Sequence, residues 1–148
     1  MSETGVKRDQ VVRYEVQDGV AVVTLDRPER LNAWTPALGA EYFAALDRAV
    51  DDSSVRVIVV TGSGRGFCAG ADMDLLQAVG SQQDDSGAEL RDARSQYYPT
   101  TLPKPVIAAI NGPAAGIGLV MALFCDIRFA AEGAKLTTAF SRRGLVAE

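Results

Sequence analysis

The sequence contains no histidine and only two cysteines, Cys68 and Cys125. Without histidine, the Ser-His-Asp and Cys-His arrangements of nucleophilic catalysis are excluded, and no Cys/His spacing suggests zinc. Any acid–base chemistry falls to Asp, Glu, Tyr, Lys or Cys, or to another chain. Both cysteines stand among small or apolar neighbours, the setting of buried, reduced thiols. Basic charge is also scarce: 15 Lys and Arg face 19 Asp and Glu, for a net charge of −4. A general nucleic-acid binder carries a basic face, so no nucleic acid is expected as a partner. A local basic site for a phosphorylated ligand stays open. No apolar run approaches the ~20 residues of a membrane-spanning helix. The opening "MSETGVKRDQ" lacks the apolar core of a signal peptide. The expectation is a cytoplasmic protein without a membrane segment or a metal.

What is present suits one domain. The chain has 148 residues, 47% apolar and 23% charged, and a domain of that size hides roughly 68–70% of its extended surface. "VVRYEV" at 11–16 alternates as a half-buried strand, with Val12, Tyr14 and Val16 on one face. Asp18-Gly19 supplies a hairpin turn before a second strand, "VAVVTL", at 20–25. Pro28 makes 26–34 an irregular connection. Thr35-Pro36 opens a helix carrying Leu38, Tyr42, Leu46 and Val50 at helical spacing, and "DDSS" at 51–54 ends it. "VRVIVVT" at 55–61 and "VIAAI" at 106–110 read as strands covered on both faces. Helices are expected over 73–79, 88–98 and 119–124, a loop over 80–87, and a last strand over 125–130. Strands alternating with helices imply an α/β architecture with a parallel sheet.

One local pattern occurs twice: an apolar strand, a glycine-rich turn and a short helix, at 55–79 and at 106–124. A glycine approach lets a ligand come close to backbone, and the first N–H groups of a helix lack intrahelical partners. Either turn alone reads most simply as a change of chain direction. Two converging turns could hold one oxygen with two N–H donors, the requirement of an oxyanion hole. A dinucleotide fingerprint is a poor fit to Gly62, Gly64 and Gly66, because Phe67 stands where its last glycine belongs.

Four stretches, "LDRPERLNAW", "VRVIVVTGSGRGFCAGADM", "KPVIAAINGPAAGIGL" and "CDIRFAAEGAKL", together resemble the crotonase superfamily of enoyl-CoA hydratases and isomerases. The resemblance runs from about residue 10 to the last residue. It implies a crotonase-like ββα spiral core within the α/β class, with 1–148 forming the N-terminal part of a single domain, truncated before the C-terminal helices. It also implies an acyl-CoA thioester substrate, coenzyme A entering only as part of that substrate, and a homotrimer or a hexamer of two trimers. By the same resemblance, the backbone N–H groups of Ala71 and Ile117 hold the thioester oxygen. The CoA moiety runs along the first connection, with Arg27 and Arg30 toward its phosphates, Leu31 and Ala33 lining its path, and Ala69 and Asp72 toward its adenine or pantetheine end.

Departures from the family pattern narrow the chemistry. Hydratases of the family use two glutamates, and the matching positions here are Val120 and Phe140. Neither side chain moves protons, so an isomerase-like reaction is expected rather than a two-glutamate hydration. "RRGLVAE" resembles the stretch in which family isomerases carry a proton-transferring acid, and Glu148 takes that place. Asp126 and Arg128 are expected to form a structural ion pair. A non-catalytic remnant that binds CoA or a partner chain is the competing reading. An incomplete core would leave apolar edges exposed.

Overall fold

The structure is a computed structural model and describes residues 10–74 and 94–140. Strands β1 (Val12–Gln17) and β2 (Val20–Leu25) form the expected hairpin. Asp18 and Gly19 both take positive φ, 52° and 82°, the turn geometry that matches the twist of the flanking strands. Helix α1 (Pro36–Asp51) begins as its sequence predicts, with the Thr35 hydroxyl accepting the Leu38 N–H at 3.1 Å and Pro36 in the first turn. At its far end the Lys104 ammonium donates to the Ala49 and Asp52 carbonyls at 2.8 and 2.7 Å, satisfying groups that the helix leaves open.

Strands β3 (Val57–Gly62) and β4 (Val106–Ile110) lie parallel to β2 and to each other. The short β5 (Ala114–Ala115) and helix α2 (Ile117–Leu123) follow, then β6 (Ile127–Ala130) and β7 (Leu136–Thr137). The main sheet has the order β1-β2-β3-β4-β6, antiparallel only at β1, and β5 pairs with β7 separately. α1 presents Leu38, Tyr42, Phe43, Leu46 and Ala49 to the buried face of this sheet. Trp34 packs edge-on against Tyr42 and Phe43, with ring centroids 5.8 and 6.1 Å apart. Among the described residues no helix is long and apolar enough to cross a membrane.

Several expectations need correction. α2 starts at Ile117 rather than 119, which makes Ile117 the first helical residue. The strand expected over 125–130 starts at Ile127 rather than Cys125, and the short β7 that follows it was not expected. Cys125 instead closes the turn after α2, where its thiol donates to the Met121 carbonyl. Asp126 and Arg128 do not pair: the Asp126 carboxylate accepts the Val106 N–H at 2.7 Å, and Arg128 donates to the Leu123 and Cys125 carbonyls. Alternation on one strand put these two residues on a common face, but the backbone groups beside each are closer partners. The helix expected over 88–98 does not include 94–98, and 88–93 lie outside the described residues. Arg94 and Tyr98 bond instead to Asp47 on α1, at 2.7 and 2.6 Å, and Tyr98 starts only a short 3-10 turn, Tyr98–Thr101. The helix expected over 73–79 is described only at Met73 and Asp74, and the loop over 80–87 lies outside.

The expected apolar edge is present. β6 is exposed along its whole length, with Ile127 at 48% and Phe129 at 65% of full exposure, whereas a parallel strand is ordinarily covered on both faces. In the core, the fully buried Tyr42 hydroxyl has no hydrogen-bond partner among the described residues. An unpaired buried hydroxyl carries a desolvation cost, so Tyr42→Phe is expected to leave stability unchanged or raise it by about 1 kcal/mol, as read from the urea midpoint. A loss of more than that would mean the hydroxyl has a partner.

Candidate functional site

Two asparagines shape the first glycine turn. Asn32 is fully buried with φ at 54°. Its side-chain amide donates to the Ser63 and Gly66 carbonyls at 3.0 and 2.9 Å, and its Oδ1 accepts the Arg27 N–H at 2.8 Å. Asn111 approaches from the second turn, accepting the Gly62 N–H and donating to the Gly64 and Gly66 carbonyls, each at 3.1 Å. Sequence reasoning missed both residues. The available signal was one Asn beside each irregular connection, a residue type that tolerates positive φ and bonds to nearby backbone.

Beyond this turn three segments lie side by side. The Phe67 and Cys68 N–H groups both donate to the Pro113 carbonyl, and the Ala115 N–H donates to the Cys68 carbonyl. On the other flank the Ala69 N–H donates to Leu31, the Trp34 N–H to Gly70 at 2.7 Å, and the Asp72 N–H to Trp34 at 3.0 Å. The last two bonds make Trp34 and Ala71 a parallel bridge. In a parallel ladder a residue whose two neighbours bond to one partner turns its own N–H to the opposite side. The Ala71 N–H accordingly has no acceptor among the described residues. The Ile117 N–H has none either, as befits the first residue of a helix.

The two open N–H groups stand on turns in contact. A Cβ placed on Gly116 would lie 4.0 Å from the Gly70 Cα and 3.8 Å from the Phe140 ring. Gly70 has φ at +102° and lies against the Ala115 carbonyl, a conformation and an approach that suit a residue without a side chain.

The other predicted residues divide into two sets. Leu31 and Ala33 flank Asn32 on the first connection, half-buried and buried. Arg27 points inward, donating to the Ala33 carbonyl at 2.6 Å and to the buried Asp72 carboxylate at 3.0 Å. The other Asp72 oxygen accepts the Asp74 N–H, so this side chain is occupied. Burial pushes the Asp72 carboxyl up, but its bonds to Arg27 and the Asp74 N–H, with the charge of Arg30 nearby, outweigh it and hold the group below the usual aspartate value. Arg30 is exposed and pairs at 2.6 Å with Asp74, also exposed. Burial pushes the Cys68 thiol up to about 11, which leaves it protonated at neutral pH and unsuited to attack. Tyr98 packs on Phe43 and bonds to Asp47. Val120 sits in the first turn of α2. Glu148 lies outside the described residues, as do Arg142 and Arg143.

The sequence model of enoyl-CoA hydratase/isomerase matches residues 15–148. The chain belongs to the enoyl-CoA hydratase/isomerase family. It is 43% identical over 140 residues to a probable enoyl-CoA hydratase of Rhodobacter capsulatus, covering 91% of this chain and 51% of that protein. It is 39% identical over 145 residues to the 1,2-epoxyphenylacetyl-CoA isomerase of Escherichia coli, covering 93% and 53%. Among solved structures, an enoyl-CoA hydratase of Mycobacterium marinum superposes with a TM-score of 0.74 at 51% identity, over 93% of this chain and 59% of that one. A crotonase-type protein of Legionella pneumophila superposes with a TM-score of 0.83 at 32% identity, over 95% and 55%. The chain thus spans about half the length of the curated relatives it matches, and its mixed α/β fold is that of the family.

Two predictions concern this framework. A Cβ on Gly118 would run into the Cys68 carbonyl and come within 2.7 Å of the Cys68 Cβ. Gly118→Ala should therefore cost about 2–3 kcal/mol in chemical denaturation, and a loss below 1 kcal/mol would show that the two turns can part without cost. Asp72 has a lowered pKa. Its contribution is complete above the ordinary aspartate value and is lost as pH falls through the lower folded-state value. Asp72→Asn should flatten the decline of stability below about pH 4, measured as unfolding midpoint against pH.

Proposed function

We propose that this chain supplies the acyl-CoA-binding and enolate-stabilising part of an enoyl-CoA hydratase/isomerase-family enzyme, isomerase-like rather than a two-glutamate hydratase. The observation that carries this reading is the pair of unbonded N–H groups, Ala71 and Ile117, on two glycine turns in contact. A thioester carbonyl that accepts both has a more acidic α-carbon, and negative charge grows on its oxygen as the proton leaves. Donors aimed at that oxygen act mainly in the transition state, and each is worth ~2.7–4 kcal/mol. The chain 27–33 would guide CoA past Leu31, Ala33 and the Ala69 backbone. Arg30 would exchange its exposed partner Asp74 for a CoA phosphate, because a surface pair of this kind is worth only about 0–1 kcal/mol. The reaction needs no cofactor beyond the CoA carried by the substrate.

Apolar side chains at both glutamate positions favour the isomerase-like form. Val120 lies in the first turn of α2, its N–H bonded to the Gly116 carbonyl, and the Phe140 ring is near Gly116. The Escherichia coli relative is named for the isomerisation of an acyl-CoA. In this reading Glu148 moves the proton, and the assembly is a homotrimer or hexamer in the cytoplasm. The same two apolar positions support a second reading, a CoA-binding chain without turnover.

Calorimetry with an acyl-CoA, followed by assays on 2-enoyl and 3-enoyl thioesters, separates the readings. Turnover of the 3-enoyl substrate, reduced about a hundredfold or more by Glu148→Gln, is the expected result. Binding without turnover selects the second reading, and absence of binding removes both.

A further inference from the structure

We propose that Arg27 is a positioning residue that sets the Ala71 N–H through the Arg27–Asp72 pair, and that it does not contact a CoA phosphate. The inference rests on the oxyanion reading above and revises the expectation for this arginine. Its guanidinium is only 17% exposed and the Asp72 carboxylate 7%. One terminal nitrogen donates to the Ala33 carbonyl and the other to Asp72. Ala33 precedes Trp34, and Asp72 follows Ala71, the two partners of the parallel bridge. The planar fork therefore ties together the residues next to both sides of that bridge, across the two backbone bonds that turn the Ala71 N–H outward. The arginine is itself fixed, since its N–H donates to Asn32 Oδ1 and its carbonyl accepts the Asn32 N–H at 2.9 Å. A lysine carries one compact charge and lacks this fork, so it would hold one side at a time.

The probe is cinnamoyl-CoA, whose absorbance moves to the red when its carbonyl is polarised, together with cinnamoyl-pantetheine, which lacks the phosphates. Arg27→Gln and Asp72→Asn should bind both thioesters within about threefold of the parent chain yet lose most of the red shift with both. Arg27→Lys should fall between. The double variant should lose no more than either single one, because the pair acts as a unit. Without ligand, amide exchange at Trp34 and Asp72 should quicken about tenfold in both single variants, with exchange in β2 and β3 unchanged. Unchanged exchange at Trp34 and Asp72 overturns the clamp, and so does a full red shift in Arg27→Gln. An Arg27→Gln defect confined to cinnamoyl-CoA, in affinity alone, also overturns it and makes Arg27 a phosphate contact. A parent chain that binds cinnamoyl-CoA without any red shift defeats the oxyanion reading instead, while the exchange measurement still judges the clamp.

Discussion

The site depends on backbone hydrogen bonds between segments that are not parts of long strands. Residues 31–34, 67–72 and 113–115 lie edge to edge through bonds such as Trp34 N–H to Gly70 and Ala115 N–H to Cys68. Buried peptide groups must find partners, and here each segment serves as the partner of the next. The middle segment is therefore held from both sides. Its small side chains, Cys68, Ala69, Gly70 and Ala71, are what that proximity permits. The open Ala71 N–H follows from this lacing, because the direction of a peptide in a ladder is set by its neighbours' bonds.

The main sheet provides the frame on which the lacing hangs. β3 and β4 are adjacent and parallel, so the turns leaving their ends emerge side by side. Asn32 and Asn111 then fill the space between the turns and satisfy peptide groups that no strand reaches. Replacing these amides with apolar groups would leave three carbonyls, of Ser63, Gly64 and Gly66, and two N–H groups, of Arg27 and Gly62, without these partners, each at a desolvation cost where it is buried. The two asparagines are structural in what they touch, yet they decide where the ligand-facing backbone lies. Ion pairs divide by depth in the same way. Arg27–Asp72 is inside and ties chain segments together, while Arg30–Asp74 is outside, where solvent screens it.

Much of this was legible in the sequence. The hairpin at Asp18-Gly19, the capped start of α1 at Thr35 and the strands at β3 and β4 all rest on local signals of turn residues, capping or apolar runs. The family resemblance, carried by motif order, also held, and with it the mixed α/β fold. Local signals failed where a distant group competed. Alternation suggested an ion pair between Asp126 and Arg128, but the Val106 N–H and the carbonyls at the end of α2 were nearer. A helix was expected through Tyr98 on a weakly amphipathic stretch, but Arg94 and Tyr98 bond to Asp47 on α1.

The sequence by itself determined the first hairpin, the start of α1, the strands β3 and β4, the two small-residue turns and the absence of histidine chemistry, because each depends on residue type and near neighbours. Tertiary structure alone decided which donors stay open and which charges are occupied. An N–H is free only if nothing from the rest of the chain reaches it, and Arg27 reads as a surface cation until Asp72, far along the sequence, is folded beside it. The stretch "GFCAGADM" shows both sides of this division. Its composition announces close backbone approach, and the bonds of Trp34, Pro113 and Ala115 around it leave the Ala71 N–H without an acceptor among the described residues.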